Sequence, residues 1–251
     1  MRFRTMAVLG LLAVLTTRPQ ARADEVKVAV AANFAAPIQR IAADFEQATG
    51  HKLLISLGST GKFHAQIRNG APFEVLLAAD QETPRKLEAE GLAVPGSRFT
   101  YATGRLVLWS RDAGRVDAEG QVLRTGHFER LAIADPRLAP YGAAAAAVID
   151  KLGLKDALAA RLVQGDSIGQ AHQFVASGHA ELGFVALAQV QLDGRLTGGS
   201  AWRVPEALHA PLHQDAVLLR PGADRPAARA LLDHLRSVRL TPLIESYGYA
   251  R

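Results

Sequence analysis

Three consecutive stretches, Lys52-Leu53-Leu54-Ile55-Ser56-Leu57, Gly58-Ser59-Thr60-Gly61-Lys62 and Phe63-His64-Ala65-Gln66-Ile67-Arg68, read as strand, glycine turn and helix. Two glycines let the backbone bend sharply. Ser59 and Thr60 carry hydroxyls suited to capping the helix that follows. A helix start gathers backbone N–H groups that have no intrahelical acceptor, and the helix dipole adds partial positive charge there. That combination holds anions. It is not a phosphate loop, which requires Gly-x-x-x-x-Gly-Lys-Ser/Thr. Here the spacing is Gly58-x-x-Gly61-Lys62, with Phe63 after the lysine. Taken alone, an ordinary capped turn accounts for the stretch better than an anion site, because capped turns are far commoner.

Working outward, the same pattern recurs. Val26 to Ala32 reads as a buried strand, Asn33-Phe34 as a turn, and Ile38, Ile41, Ala42 and Phe45 as the apolar stripe of a helix with Pro37 in its first turn. Asn69-Gly70-Ala71-Pro72 stops the helix after the glycine turn. Phe73 to Ala79 is a third strand, and Pro84 to Glu90 a short helix closed by Gly91. Strands alternating with helices predict a parallel α/β sheet. Ligands of such sheets sit beyond the carboxyl ends of the strands. Asn33 and Ser59-Thr60 both occupy that position, on successive strands, and this raises the anion-site reading above a lone turn.

Farther along, Thr103 to Ser110, Leu131 to Ala134, Glu181 to Ala186 and Ala216 to Leu219 read as strands, and Trp202 to Gln214 as irregular. The alanine run Ala143 to Ala147 predicts a secure helix whose N-terminus lies at Tyr141-Gly142. Ser167 is placed as the N-cap of a helix over Gln170 to Ala176, and Pro226 to Val238 and Thr241 to Tyr247 as closing helices. Two α/β halves are expected, with the break near Gly104 and the return near Pro205 to Pro211. As boundaries, residues 24–104 plus 208–251 form one lobe and 105–207 the other.

Residues 1–23 have a basic start at Arg2 and Arg4, an apolar run from Met6 to Leu15 and a small-x-small site at Ala21-Arg22-Ala23. This is the pattern of a secretory signal cleaved after Ala23, and the run is too short to span a bilayer. The whole chain of 251 residues carries 29 basic and 24 acidic side chains. Arg2, Arg4, Arg18 and Arg22 leave with the signal and no acid does, so the mature chain stands at 25 against 24. A basic balance that vanishes on processing gives no support to nucleic-acid binding. There are no cysteines, which excludes disulfides, thiolate metal sites and a lipid-anchored cysteine. A soluble protein of a bacterial periplasm is expected, without cofactor and as a monomer.

Other chemistry is weakly signalled. Gly165-Asp166-Ser167-Ile168 looks like the Gly-Asp-Ser-Leu block of certain esterases, and a periplasmic hydrolase of that type is the remote alternative. Such enzymes carry the block near the mature N-terminus with Asp-x-x-His near the C-terminus. Here it lies past mid-chain and no Asp-x-x-His exists, so Ser167 as a helix cap is preferred. His209 and His213 have zinc-like spacing, but Pro211 between them breaks a helix. Lys62 and Arg68 fit a solvated helix face. Tyr141 is open between a ligand, through its hydroxyl or its N–H, and a packing residue beside Pro140.

Taken together, several short pieces carry a resemblance: Val30-Ala31-Ala32-Asn33-Phe34, Gly58-Ser59-Thr60-Gly61, Asn69-Gly70-Ala71-Pro72, Gly96-Ser97-Arg98-Phe99-Thr100-Tyr101-Ala102, Ala139-Pro140-Tyr141-Gly142, Ser167-Ile168-Gly169-Gln170-Ala171-His172 and Leu182-Gly183-Phe184-Val185-Ala186. In this order and spacing, over Asp24 to Tyr249, the chain resembles the periplasmic molybdate-binding proteins of ABC transporters. The resemblance implies a two-lobed periplasmic-binding-protein fold of type II, each lobe a mainly parallel sheet flanked by helices, with the ligand in the cleft. It implies an oxyanion site at Ala32, Asn33, Ser59, Thr60, Tyr141 and Ile168, molybdenum held only as molybdate, and an ABC permease as partner. A sulfate or other oxyanion receptor is the alternative within that class. Some members place serine where Asn33 stands, and some use a tyrosine hydroxyl where this chain has Ala186. That contact is absent here or replaced, with Tyr141 the candidate. A pocket made only of donors suits a fully deprotonated tetrahedral dianion and turns away an oxyanion that carries its own O–H.

Overall fold

β1 (Glu25–Ala31) alternates exposed and buried residues at its start and is fully buried at its end, the pattern of a strand that enters the middle of a sheet. It runs through a 3-10 turn at Ala32–Phe34 into α1 (Ala35–Thr49). Ile38, Ile41 and Phe45 fall on one face of that helix and are all fully buried. Gly50 ends it at φ +78°, a left-handed position suited to glycine, with its N–H on Glu46 O at 2.8 Å. The opening strand-turn-helix stretch forms as β2 (Lys52–Gly58) and α2 (Thr60–Arg68). β3 (Val75–Leu77) and α3 (Glu82–Ala89) repeat the unit. The computed structural model describes residues 23–251, so the signal segment, apart from Ala23, lies outside the described residues.

The chain continues through β4 (Phe99–Gly104), β5 (Leu106–Ser110), α4 (Val122–Thr125), β6 (Leu131–Ala134), α5 (Pro140–Lys151), α6 (Lys155–Leu158), β7 (Leu162–Gly165), α7 (Ile168–Ala176) and β8 (Leu182–Ala186). A small hairpin, β9 (Gln191–Leu192) and β10 (Arg195–Leu196), precedes β11 (Ser200–Arg203), β12 (Leu212–Leu218), α8 (Pro226–Arg236) and α9 (Thr241–Ser246). Two five-stranded sheets result, ordered β2-β1-β3-β12-β4 and β11-β5-β8-β6-β7. Each is the core of one lobe. In the first, α1, α8 and α9 cover one face and α2 and α3 the other.

Each sheet is mixed in detail. β1, β2, β3 and β4 run in one direction, and so do β6, β7, β8 and β11, whereas β12 in one sheet and β5 in the other run antiparallel to their neighbours. The antiparallel strands are those next to the crossings. The run Thr103 to Ser110, expected as one strand, is two: β4 ends in the first sheet, Arg105 crosses, and β5 begins in the second. The chain returns through residues 204–211. The stretch Trp202 to Gln214, expected to be irregular, contains the end of β11 and the start of β12. β12 starts four residues before the expected Ala216, because the buried polar pair Gln214 and Asp215 interrupts its apolar pattern.

Candidate functional site

All six residues singled out from the sequence are buried, and each sits at the start of a helix or helical turn. Ala32 and Asn33 form the 3-10 turn before α1; Ser59 is the N-cap of α2 and Thr60 its first residue. Tyr141 follows Pro140 in the first turn of α5, and Ile168 opens α7 behind its N-cap Ser167. First-turn N–H groups have no intrahelical acceptor, so four such ends supply donors from both lobes.

The two lobes meet at these turns. Gly61 N donates to Leu138 O across the cleft at 2.8 Å. α7 packs on the Ala32–Phe34 turn, so closely that a Cβ on Gly169 would lie 3.1 Å from Ala32 Cβ. Lys62 Nζ meets Asp166 Oδ2 at 2.5 Å, and Arg137 pairs with Asp135 at 2.9 Å. The cations carried by these turns are therefore already neutralised, and the attraction left for an anion comes from uncharged donors and helix dipoles.

The hydroxyls divide by role. Thr60 Oγ1 accepts from Ala79 N at 3.0 Å, which leaves its own proton free to donate. Ser59 was expected to cap α2 through its side chain and does not. Of the two N–H groups that an N-cap side chain can serve, that of Gly61 is taken by Leu138 from the other lobe. Ser59 Oγ is buried and has no hydrogen-bond partner among the described residues. The Tyr141 hydroxyl accepts from Gln214 Nε2 at 3.1 Å, which ties it to β12 without using its own proton. Tyr141 also offers its first-turn N–H. At Ala186 no hydroxyl takes the tyrosine's place. Instead Gln189 bridges β8 to α7: its Oε1 accepts from Ala186 N at 3.0 Å and its Nε2 donates to Ile168 O at 3.2 Å.

Sequence reasoning missed Gln214, Tyr101 and Tyr249. Gln214 Oε1 lies 2.7 Å from Asn33 Nδ2 and 3.0 Å from the Tyr101 hydroxyl, and Tyr249 donates to Asn33 O at 2.8 Å. The available signal was a lone glutamine beside an aspartate ahead of an apolar run, and a tyrosine in the pair Gly248-Tyr249 after the closing helix. Neither stands out without the sheet. A Cβ at Gly104 would lie 1.9 Å from the Tyr141 hydroxyl and 2.5 Å from Gln214 Nε2, so only glycine leaves room for this cluster at the crossing.

A groove of about 560 Å³ runs between Ala79 to Glu82, Pro136 with the Pro140, Ala143, Ala144 and Ala147 side of α5, and Ala210 to His213. None of the six residues lines it. Its walls are chiefly alanine and proline, with the carboxylates of Asp80 and Glu82, a surface that repels anions. Ser167 Oγ accepts from Gln170 N at 3.3 Å, as an N-cap does, and His172 is stacked on Trp109 with ring centroids 5.2 Å apart. The serine thus has no histidine base. Among the described residues no group of three or more His, Asp or Glu side chains is arranged to hold a metal ion, and no helix is long and apolar enough to cross a membrane.

A sequence model of the family described as bacterial extracellular solute-binding protein matches residues 26–250. The molybdate-binding protein ModA of Azotobacter vinelandii is 60% identical over 229 residues, 91% of each chain. That of Rhodobacter capsulatus is 52% identical, over 91% of this chain and 89% of its own. The structure of an Azotobacter vinelandii periplasmic molybdate-binding protein superposes with a TM-score of 0.87 at 43% identity, over 90% of this chain and 99% of that one.

Proposed function

The chain belongs to the bacterial extracellular solute-binding proteins, within them to the molybdate-binding group, and on that premise we propose that it captures molybdate, or tungstate, between its lobes and delivers it to an ABC permease at the inner membrane. The ligand is held by Ala32, Asn33, Ser59, Thr60, Tyr141 and Ile168. The lobes comprise residues 24–104 with 208–251, and residues 105–207. The signal is cleaved after Ala23, and the mature periplasmic protein works as a monomer without catalysis.

The observation that carries this reading is Ser59. A hydroxyl buried at a helix start with no partner costs free energy in the empty protein, and an acceptor-only oxyanion relieves that cost. Around it the helix starts supply N–H donors, and the nearby cations are already committed to Asp166 and Asp135. Such a site favours a small dianion with no proton of its own.

Calorimetric titration with molybdate, tungstate and sulfate tests the proposal. Tight binding of the first two with weak binding of sulfate is expected. Sulfate bound as tightly as molybdate would overturn the specificity, and no molybdate binding would overturn the function.

A further inference from the structure

Gln214 is fully buried at the start of β12 and touches both halves of the proposed site. Its carboxamide reaches Asn33 in the turn after β1 and the Tyr141 hydroxyl in the first turn of α5. Around it stand Tyr101, whose hydroxyl also lies 3.0 Å from Ala78 O, and Tyr249, whose hydroxyl accepts from Asn33 Nδ2 at 2.9 Å and donates to Asn33 O at 2.8 Å.

The proton count in this cluster is uneven. Tyr101 has one proton and faces two acceptors, Ala78 O and Gln214 Oε1. Asn33 Oδ1 is buried and accepts from nothing, at the end of the amide away from Gln214 and Tyr249. Rotating both carboxamides by half a turn moves no heavy atom out of place. Gln214 Nε2 then donates to Asn33 Oδ1 and to Tyr101, which is free to donate to Ala78 O. The single proton of Tyr249 now lies between two acceptors, Asn33 O and Asn33 Oδ1, so the shortage moves from Tyr101 to Tyr249 and the protein alone does not decide between the arrangements. Gln214 Oε1 accepts the Tyr141 proton. Asn33 Nδ2 takes the orphaned position and becomes a free donor. The two arrangements thus differ in what Asn33 presents: a lone acceptor in one, a lone donor in the other. An acceptor-only oxyanion selects the second, because an unpaired buried polar group is costly and the ligand supplies its partner.

We propose that Gln214 is a positioning residue of the oxyanion site, whose carboxamide turns over together with that of Asn33 to present a donor to the ligand while holding the start of α5 through Tyr141. The inference rests on the molybdate reading above. Burial pushes the phenols of Tyr101, Tyr141 and Tyr249 above their ordinary range, so all three stay protonated and keep the count intact.

The test has three arms. Wild-type calorimetry with molybdate comes first, and no binding there sinks the functional reading and this inference together. With binding established, Gln214→Leu, Gln214→Glu and Tyr141→Phe are titrated across pH 6 to 8.5, with thermal melts of the ligand-free proteins as the folding control. Gln214→Leu is expected to weaken binding about tenfold, the scale of one hydrogen bond, without a change in pH dependence. Gln214→Glu is expected to bind near wild type while its carboxyl is protonated and progressively worse as pH rises, since an ionised carboxylate accepts only and turns the Asn33 amide inward. Slopes are read against wild type, which carries the same neighbouring His213, Asp80 and Asp215–Arg98 pair. Tyr141→Phe combined with Gln214→Leu is expected to be no worse than Gln214→Leu alone. The third arm is direct: the Asn33 side-chain NH2 resonances of ¹⁵N-labelled wild-type protein shift and exchange more slowly with molybdate bound. Asn33 resonances unmoved at saturation, or all variants within about twofold of wild type at every pH, would overturn the inference while leaving molybdate binding intact.

Discussion

Ser59 and Thr60 are neighbours at one helix start, yet their hydroxyls do different things. Thr60 is tied into the fold through Ala79. Ser59 bonds nothing, so removing its oxygen removes no native contact. Ser59→Ala is therefore expected to leave the ligand-free melting temperature unchanged or slightly raised while weakening molybdate binding by about tenfold. Paired thermal melts and calorimetry check this, and a large loss of stability with unchanged affinity would refute it. That these two residues stand at a helix start was legible in the sequence, because a Gly-Ser-Thr-Gly turn between strand and helix is a local signal. That Ser59 does not cap its own helix was not, since the competing acceptor, Leu138, comes from the other lobe.

The elements around the site are held by two carboxylates, Asp80 half-buried and Asp215 fully buried. Asp80 accepts from Thr83 N at 2.8 Å and from the Thr83 hydroxyl at 3.2 Å at the start of α3. Burial is the largest influence on it and raises its pKa above the ordinary 3.8, against the opposing pull of those hydrogen bonds. A carboxyl raised in the folded state binds its proton more tightly there than when unfolded, so its contribution to stability declines as pH rises from 3.8 through the raised value. Asp80→Asn keeps an acceptor but cannot ionise. Denaturation between pH 3.5 and 7 is expected to show the variant gaining on wild type across that window. Asp80→Ala, which loses the cap, is expected to cost about 1 kcal/mol. Asp215 of β12 is more deeply buried, with Arg98 at 2.6 Å and the Thr100 hydroxyl at 2.7 Å. Arg98→Met strands that carboxylate and is expected to cost about 3–5 kcal/mol by urea denaturation, with Asp215→Asn recovering part of the loss. The elements themselves were readable wherever apolar periodicity was clean, as in α1 and β1. The apolar pattern of β12 begins only at Ala216, because the polar side chains Gln214 and Asp215 lie inside the strand.

Over the whole molecule the decisive contact is Gly61 against Leu138. A Cβ on Gly61 would stand 2.9 Å from Leu138 O and 3.0 Å from Leu138 Cα, backbone atoms that cannot swing aside. Gly61→Ala is expected to hold the cleft ajar, weakening molybdate binding and removing the ligand-induced compaction that solution scattering should record for wild type. Equal compaction in both proteins would count against closure at this point. The Lys62–Asp166 pair spans the same gap but is exposed, so salt screens it and it contributes little. The sequence alone determined the alternation of strand and helix and the positions of the donor-rich turns, because each depends on residues a few places apart. The tertiary structure decided which donors remain free, which cations are spent, and how Asn33, Tyr141 and Gln214 come to share one buried cluster. The ties of Asn33 and Tyr141 to Gln214, of Gly61 to Leu138 and of Lys62 to Asp166 join residues more than seventy places apart, in contact only once the chain has crossed between its lobes.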